Sequence, residues 1–217
     1  MTSHPSYTAR FAQDLKTPGV RVPLTAVPEL WAEAVAIGRE VIWLHTYGRE
    51  FTDPAAGRPT GAPRLPDGLR PLNTVPIPHS KDEMPEEITY DAGTRTLHVG
   101  SGQIRPVSEE VWRYQTSGMR IIKKWFDYRR RNPAGRRSSP LDCVNAECWT
   151  ATFTRELLEL LRVLTRCVEL EPSQAELLDR ICQDPLISTS DLTQAEVLPP
   201  SKSTRRPLPA ETQDMLF

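Results

Sequence analysis

The chain has 217 residues, with 27 Lys or Arg against 28 Asp or Glu and a formal net charge of −1. This length can bury a core without disulfide or metal staples, and the near-neutral balance excludes a general polyanion-coating protein, so any nucleic-acid contact must come from a local patch. The 21 prolines, about twice the ordinary share, demand irregular segments and tails. No run of about 18 apolar residues is present, and the first residues lack the apolar core of a signal peptide, so a cytoplasmic chain with no membrane partner is expected. Cys143, Cys148, Cys167 and Cys182 follow at spacings of 5, 19 and 15 residues, which match neither zinc-ligand nor CxxC patterns; reduced thiols and no metal site are expected.

In chain order, residues 7–23 read as irregular, with a turn at Thr17-Pro18-Gly19. A long helix follows Thr25 and Pro28. Leu30, Trp31, Ala34, Val35, Val41, Ile42, Leu44 and His45 recur at three-to-four spacing until Gly48, and Gly38 inside it is read as room for a closely packed neighbour. Residues 51–85 carry too many Pro and Gly for a helix and form an extended loop, with a short edge strand near 73–77. Residues 87–90 and 95–99 alternate as two β-strands around Asp91-Ala92-Gly93-Thr94, a hairpin in which Gly93 is available for positive φ, and residues 103–105 offer a third strand. Ser108 caps a short helix over 109–114.

Next comes the densest positive charge in the chain. Between Arg120 and Arg137 there are eight Lys or Arg residues against one acid, Asp127. Met119, Ile122, Trp125 and Phe126 share one face of a predicted helix, with Arg120, Lys123, Lys124, Asp127 and Arg130 around the rest. Asn132-Pro133-Ala134-Gly135 ends that helix and leaves Arg136, Arg137, Ser138 and Ser139 in a loop. A helical pair is predicted last: one helix from Thr152 or Thr154 through Leu157, Leu158, Leu161, Leu164 and Val168, and a second opened by Pro172 through Ala175, Leu178, Ile181 and Cys182.

The predicted class is α+β, with helices around a small antiparallel hairpin or sheet and a C-terminal helical pair. One domain spans residues 7–192, and a disordered Pro-rich tail covers 193–217. No internal repeat is found.

Catalytic signatures are missing. There is no GxxxxGK[ST], GxGxxG, HExxH or GxSxG, so neither catalytic residues nor a cofactor are assigned. The adjacent carboxylates Glu86-Glu87 and Glu109-Glu110 diverge and suit a strand border and a helix cap. His45 is read as capping the last carbonyls of its helix, with Tyr47 anchoring the turn, and His98 as a partly exposed strand residue.

The basic run has two readings: a solvated helix face with a basic loop, or a phosphate-binding surface. For the second, the candidate DNA-binding residues are Arg120, Lys123, Lys124, Arg129, Arg130, Arg131, Arg136, Arg137, Ser138 and Ser139. Guanidinium forks, ammonium groups, hydroxyls and loop amides are the groups that hold phosphate oxygens, with Trp125 and Tyr128 interleaved.

Residues 31–51, 88–142 and 153–188, taken together and in order, resemble the C-terminal specificity domain of type ISP restriction-modification enzymes, over about residues 7–192. In that family one polypeptide joins nuclease, helicase-like ATPase, adenine-specific DNA methyltransferase and, last, the target-recognition domain. The resemblance implies the last module here: double-stranded DNA as partner, together with a methyltransferase/helicase/nuclease polypeptide. No NPPY-type tetrapeptide or S-adenosylmethionine loop accompanies it, so the chain is not expected to be an enzyme by itself. The alternative is a protein-interaction subunit or truncated remnant that docks on a separate methyltransferase polypeptide, with Trp31, Trp43 or the C-terminal helical pair as the interface, and has no DNA affinity of its own.

Overall fold

The computed structural model describes residues 4–17, 22–130 and 146–200. The chain divides into two compact units, Met1–Pro59 with Leu170–Phe217, and Thr60–Glu169.

The first unit opens with helix α1 (Pro5–Arg10), which has proline in its first turn and the His4 Nδ1 accepting the Ser6 N–H at 3.2 Å. Irregular backbone was expected from residue 7. A helix this short has no room to show a period, and what holds it is tertiary: Tyr7 is buried. A 3-10 turn at Asp14–Lys16 follows; Pro18 and Gly19 of the expected turn lie outside the described residues.

Helix α2 (Pro28–His45) has proline in its first turn, as expected. Leu30 packs with Leu177 and Ile181, and Ala34 and Ile37 lie against them. Trp31, Val35 and Ile42 face outward instead. Apolar residues surround more than half of α2, and one side of it is covered. Gly38 also departs from expectation, since a Cβ built there meets nothing within 4 Å. At the C-terminus the Thr46 hydroxyl, in the role expected of His45, donates to the Ile42 carbonyl at 2.9 Å.

The α+β class holds, but the C-terminal pair is one helix, α5 (Ala151–Gln183), which runs through Pro172. Proline removes one intrahelical hydrogen bond, here at an exposed position. The apolar stripe keeps its phase across it. Leu164 and Leu178 are both buried and lie about four helical turns apart, so burial on both sides favours continuation over a break. Beyond α5, the Ile187 N–H donates to Leu24 O at 2.8 Å and the Ala26 N–H to Pro185 O at 2.9 Å. Helix α6 (Thr189–Gln194) is then fixed by a reciprocal capping box of Ser188 and Asp191. The tail from residue 201 lies outside the described residues.

The second unit is built on a four-stranded antiparallel sheet of β1 (Leu72–Val75), β2 (Ile88–Asp91), β3 (Thr96–Val99) and β4 (Gly102–Arg105), in the order β1-β4-β3-β2. The predicted hairpin, third strand and edge strand are all present. Tyr90 pairs with Leu97 and Ile88 with Val99, while Leu97 pairs with Ile104. These five share the core face of the sheet. In the β2–β3 turn the Asp91 carboxylate accepts from the Gly93 N–H at 2.9 Å and the Thr94 hydroxyl at 2.7 Å. With that turn fixed by the Asp91 carboxylate, the positive φ falls on Arg95 rather than on Gly93. Gly102 is different: a Cβ there would lie 2.8 Å from the Cα of Ile77, so its missing side chain is what lets Ile77 cross β4 into the core.

Helix α3 (Glu109–Arg113) is capped by the Ser108 hydroxyl, which accepts the Val111 N–H at 3.3 Å. A two-stranded ribbon, β5 (Gln115–Thr116) and β6 (Met119–Arg120), leads into α4 (Ile121–Asp127). The core joins Leu97, Val99 and Ile104 to Trp112, Ile122, Phe126, Trp149 and the α5 leucines. Among the described residues no helix is long and apolar enough to cross a membrane, and no His, Cys, Asp or Glu group could hold a metal ion. Among the described residues Cys148, Cys167 and Cys182 form no disulfide, and Cys143 lies outside the described residues.

Tyr90 ties this sheet to α3. Its ring stacks on Trp112 at 5.7 Å between centroids, and its hydroxyl donates to Val107 O at 2.9 Å. Burial, then the nearby Glu109 carboxylate, raises its pKa above the ordinary 10.0, so the phenol contributes stability that is complete below pH 10 and is lost as pH rises further. Tyr90→Phe should cost about 1 kcal/mol in urea unfolding at neutral pH, with the difference from wild type shrinking in titrations above pH 10.

Candidate nucleic-acid interface

The basic stretch starts at a turn. Ser117 (φ 51°) and Gly118 (φ 77°) both have positive φ and close the two-residue hairpin between β5 and β6, the backbone that a tight primed turn requires. The helix therefore begins at Ile121 rather than at Met119. Met119, expected on its apolar face, is an exposed strand residue. The other expected positions hold: Ile122 and Phe126 are buried, and Trp125 is partly buried against the same core.

Trp149 receives that apolar face. Trp125 and Phe126 both meet its ring at 6.1 Å, and Phe153 meets it from α5 at 5.6 Å. The Trp149 indole N–H donates to the Thr154 hydroxyl at 2.9 Å, and its carbonyl lies 2.8 Å from His79 Nδ1. With one face of α4 fixed in this way, its cations must point elsewhere.

The five described candidates then separate. The Arg129 guanidinium lies 4.1 Å from the Trp125 ring centroid and donates to the Trp125 carbonyl and to Glu156 Oε2, both at 3.1 Å. Its side chain is 27% exposed. Arg130 pairs with Asp127 at 3.0 Å and reaches the Glu86 carbonyl at 3.3 Å. Arg120 stacks over Trp112 at 4.9 Å and donates to its carbonyl at 3.4 Å. These three arginines are occupied within the unit. Lys123 and Lys124 are exposed and have no carboxylate partner among the described residues. The Lys123 ammonium sits 5.4 Å from the Trp112 centroid and the Lys124 ammonium 4.8 Å from that of Tyr128, whose side chain is 72% exposed.

Arg131, Arg136, Arg137, Ser138 and Ser139 lie outside the described residues. In the sequence Tyr128 and Trp125 are the two rings interleaved with the cations. The structure sends Trp125 to the core and leaves Tyr128 in solvent, a division that three-residue spacing on a seven-residue helix does not resolve. The Arg129 position carried a readable signal: it is four residues after Trp125, a spacing at which helical side chains meet. An exposed ammonium pair beside an open phenol ring can neutralise phosphate and cover a sugar or base.

This division predicts opposite results in urea unfolding. Arg129→Ala, which removes the cation–π contact and two hydrogen bonds, should lose about 1–3 kcal/mol. The double variant Lys123→Ala, Lys124→Ala should stay within about 0.5 kcal/mol of wild type.

No curated protein and no solved structure matches the chain. A family model does: the type ISP C-terminal specificity domain, over residues 1–160. That match covers well over half of the 217 residues, and the chain belongs to the type ISP C-terminal specificity domain family.

Proposed function

We propose that this chain is the DNA-binding, target-recognition module of a restriction-modification system, and that it directs a methyltransferase and nuclease while performing no catalysis itself. Family membership supports the recognition role. The observation that carries DNA contact is the exposed Lys123–Lys124–Tyr128 edge of α4, whose opposite face is anchored on Trp149. Lysine ammoniums give sequence-independent phosphate affinity, and base edges are then read by neighbouring groups at about 1–3 kcal/mol each. Arg136, Arg137, Ser138 and Ser139, a few residues further on, are proposed to extend the same surface.

Fluorescence anisotropy with a random duplex of about 20 base pairs, titrated with salt, tests this. Lys123→Ala with Lys124→Ala should weaken binding and reduce the slope of log K against log salt by about 1.8, two phosphate contacts' worth. Arg136→Ala with Arg137→Ala should act in the same direction. Unchanged affinity and slope in both variants would reject this placement of the site. An intact chain with no duplex affinity at low salt would instead favour the second reading, a subunit that docks on a catalytic polypeptide, for which the exposed apolar side of α2 speaks. Trp43 takes no part in such docking, because it is buried with its indole N–H bonded to Pro59 O at 2.8 Å.

A further inference from the structure

Tyr128 closes α4 with its side chain 72% exposed. The Lys124 ammonium lies over its ring, 4.8 Å from the centroid, and comes from four residues earlier, a spacing at which helical side chains meet. With so much of the side chain open, the ring face away from Lys124 is in solvent. A cation–π contact at an exposed site is weak, so folding gains little from holding a phenol ring there. The other two rings of α4, Trp125 and Phe126, are packed on Trp149. Around Tyr128 the charge is positive: Lys123 and Lys124 are exposed, and Asp127, the one acid of α4, is paired with Arg130. The edge therefore suits an anion that also presents a flat ring, and in a chain of a target-specificity family that anion is nucleic acid.

Pairing of the strand decides what the ring can do. In a duplex each base is covered on both faces by its neighbours and shows only its edges in the grooves. A single strand can splay its bases out, and an aromatic side chain among cations then stacks on them. We infer that the Lys123–Lys124–Tyr128 edge takes a single-stranded segment of DNA, with one unstacked base on the free face of Tyr128 and the adjoining phosphates on the two ammonium groups. The inference rests on the proposed DNA contact at this edge and names the form of DNA held there. Every base has a π-face, so this contact supplies affinity and leaves the reading of sequence to other groups. One ring and two cations cover a short segment, and each part of the contact can be removed separately.

Fluorescence anisotropy of the full chain with a thymidine oligonucleotide of about 20 nucleotides, an abasic strand of the same length and a duplex of that length tests this. The wild type should bind the thymidine strand more tightly than the abasic one, because the two share phosphates and differ in bases. Tyr128→Ala should weaken binding to the thymidine strand about 5- to 150-fold, while its salt slope and the duplex affinity stay unchanged. Tyr128→Phe keeps the ring and should bind as the wild type does. Lys123→Ala with Lys124→Ala should instead lower the single-strand slope by about 1.4, two contacts at the single-strand value. Equal affinity for the thymidine and abasic strands overturns the inference, as does equal loss on duplex and single strand in Tyr128→Ala. A Tyr128→Phe variant as weak as Tyr128→Ala also overturns it, since the hydroxyl rather than the ring would then make the contact. Lysine substitutions without effect on either form of DNA would remove the edge as a binding site and this inference with it, whereas lysine effects beside a silent Tyr128→Ala remove this inference alone.

Discussion

Burial of the Trp149 indole is the constraint on which the second unit depends. Its ring is inaccessible, its N–H is satisfied by Thr154, and Trp125, Phe126 and Phe153 surround it. A buried indole with an unmet N–H is costly, so the start of α5 is held where Thr154 can reach it. That position leaves one orientation for α4, with Phe126 inward. A seven-residue helix has little stability of its own, so the tertiary contact on Trp149 decides both that α4 forms and which way its lysines face.

The positive charge on this segment is therefore of two kinds. Guanidinium is planar and weakly hydrated, and suits stacking on rings and forked bonding to carboxylates. Arg120 and Arg129 use that property against Trp112 and Trp125, and Arg130 against Asp127. Ammonium groups hold water more strongly and stay at the surface, as Lys123 and Lys124 do. The arginines cement the edge, and the lysines give it its field.

Much of the second unit was legible in the sequence because its signals are local. The β2–β3 hairpin follows from period-two alternation around an Asp-initiated turn, and the α3 cap from Ser108. What stayed hidden depends on distant partners. Trp149 sits in a stretch without periodicity, and its importance comes from residues on α4 and α5. Pro172 reads as a helix start, yet leucines that keep phase on both sides carry the helix through it. Trp31 and Leu30 read alike as apolar neighbours on α2, and only the position of Leu177 and Ile181 decides which of them is covered. The basic run showed as charge, but which cations are bound internally depends on Glu156, Glu86 and Trp112, in other elements.

The Ser117–Gly118 turn has a further consequence for how this surface can vary. The tight β5–β6 pairing registers Arg120 against Gln115 and so sets the angular phase at which α4 begins. Each residue gained or lost between that turn and Ile121 would rotate the helix by about 100° and carry the lysines toward Trp149. Length changes upstream of Phe126 are thus closed to this fold, and the same phase seats Arg129 on the Trp125 ring and Glu156. Related chains should accordingly keep the spacing from turn to helix.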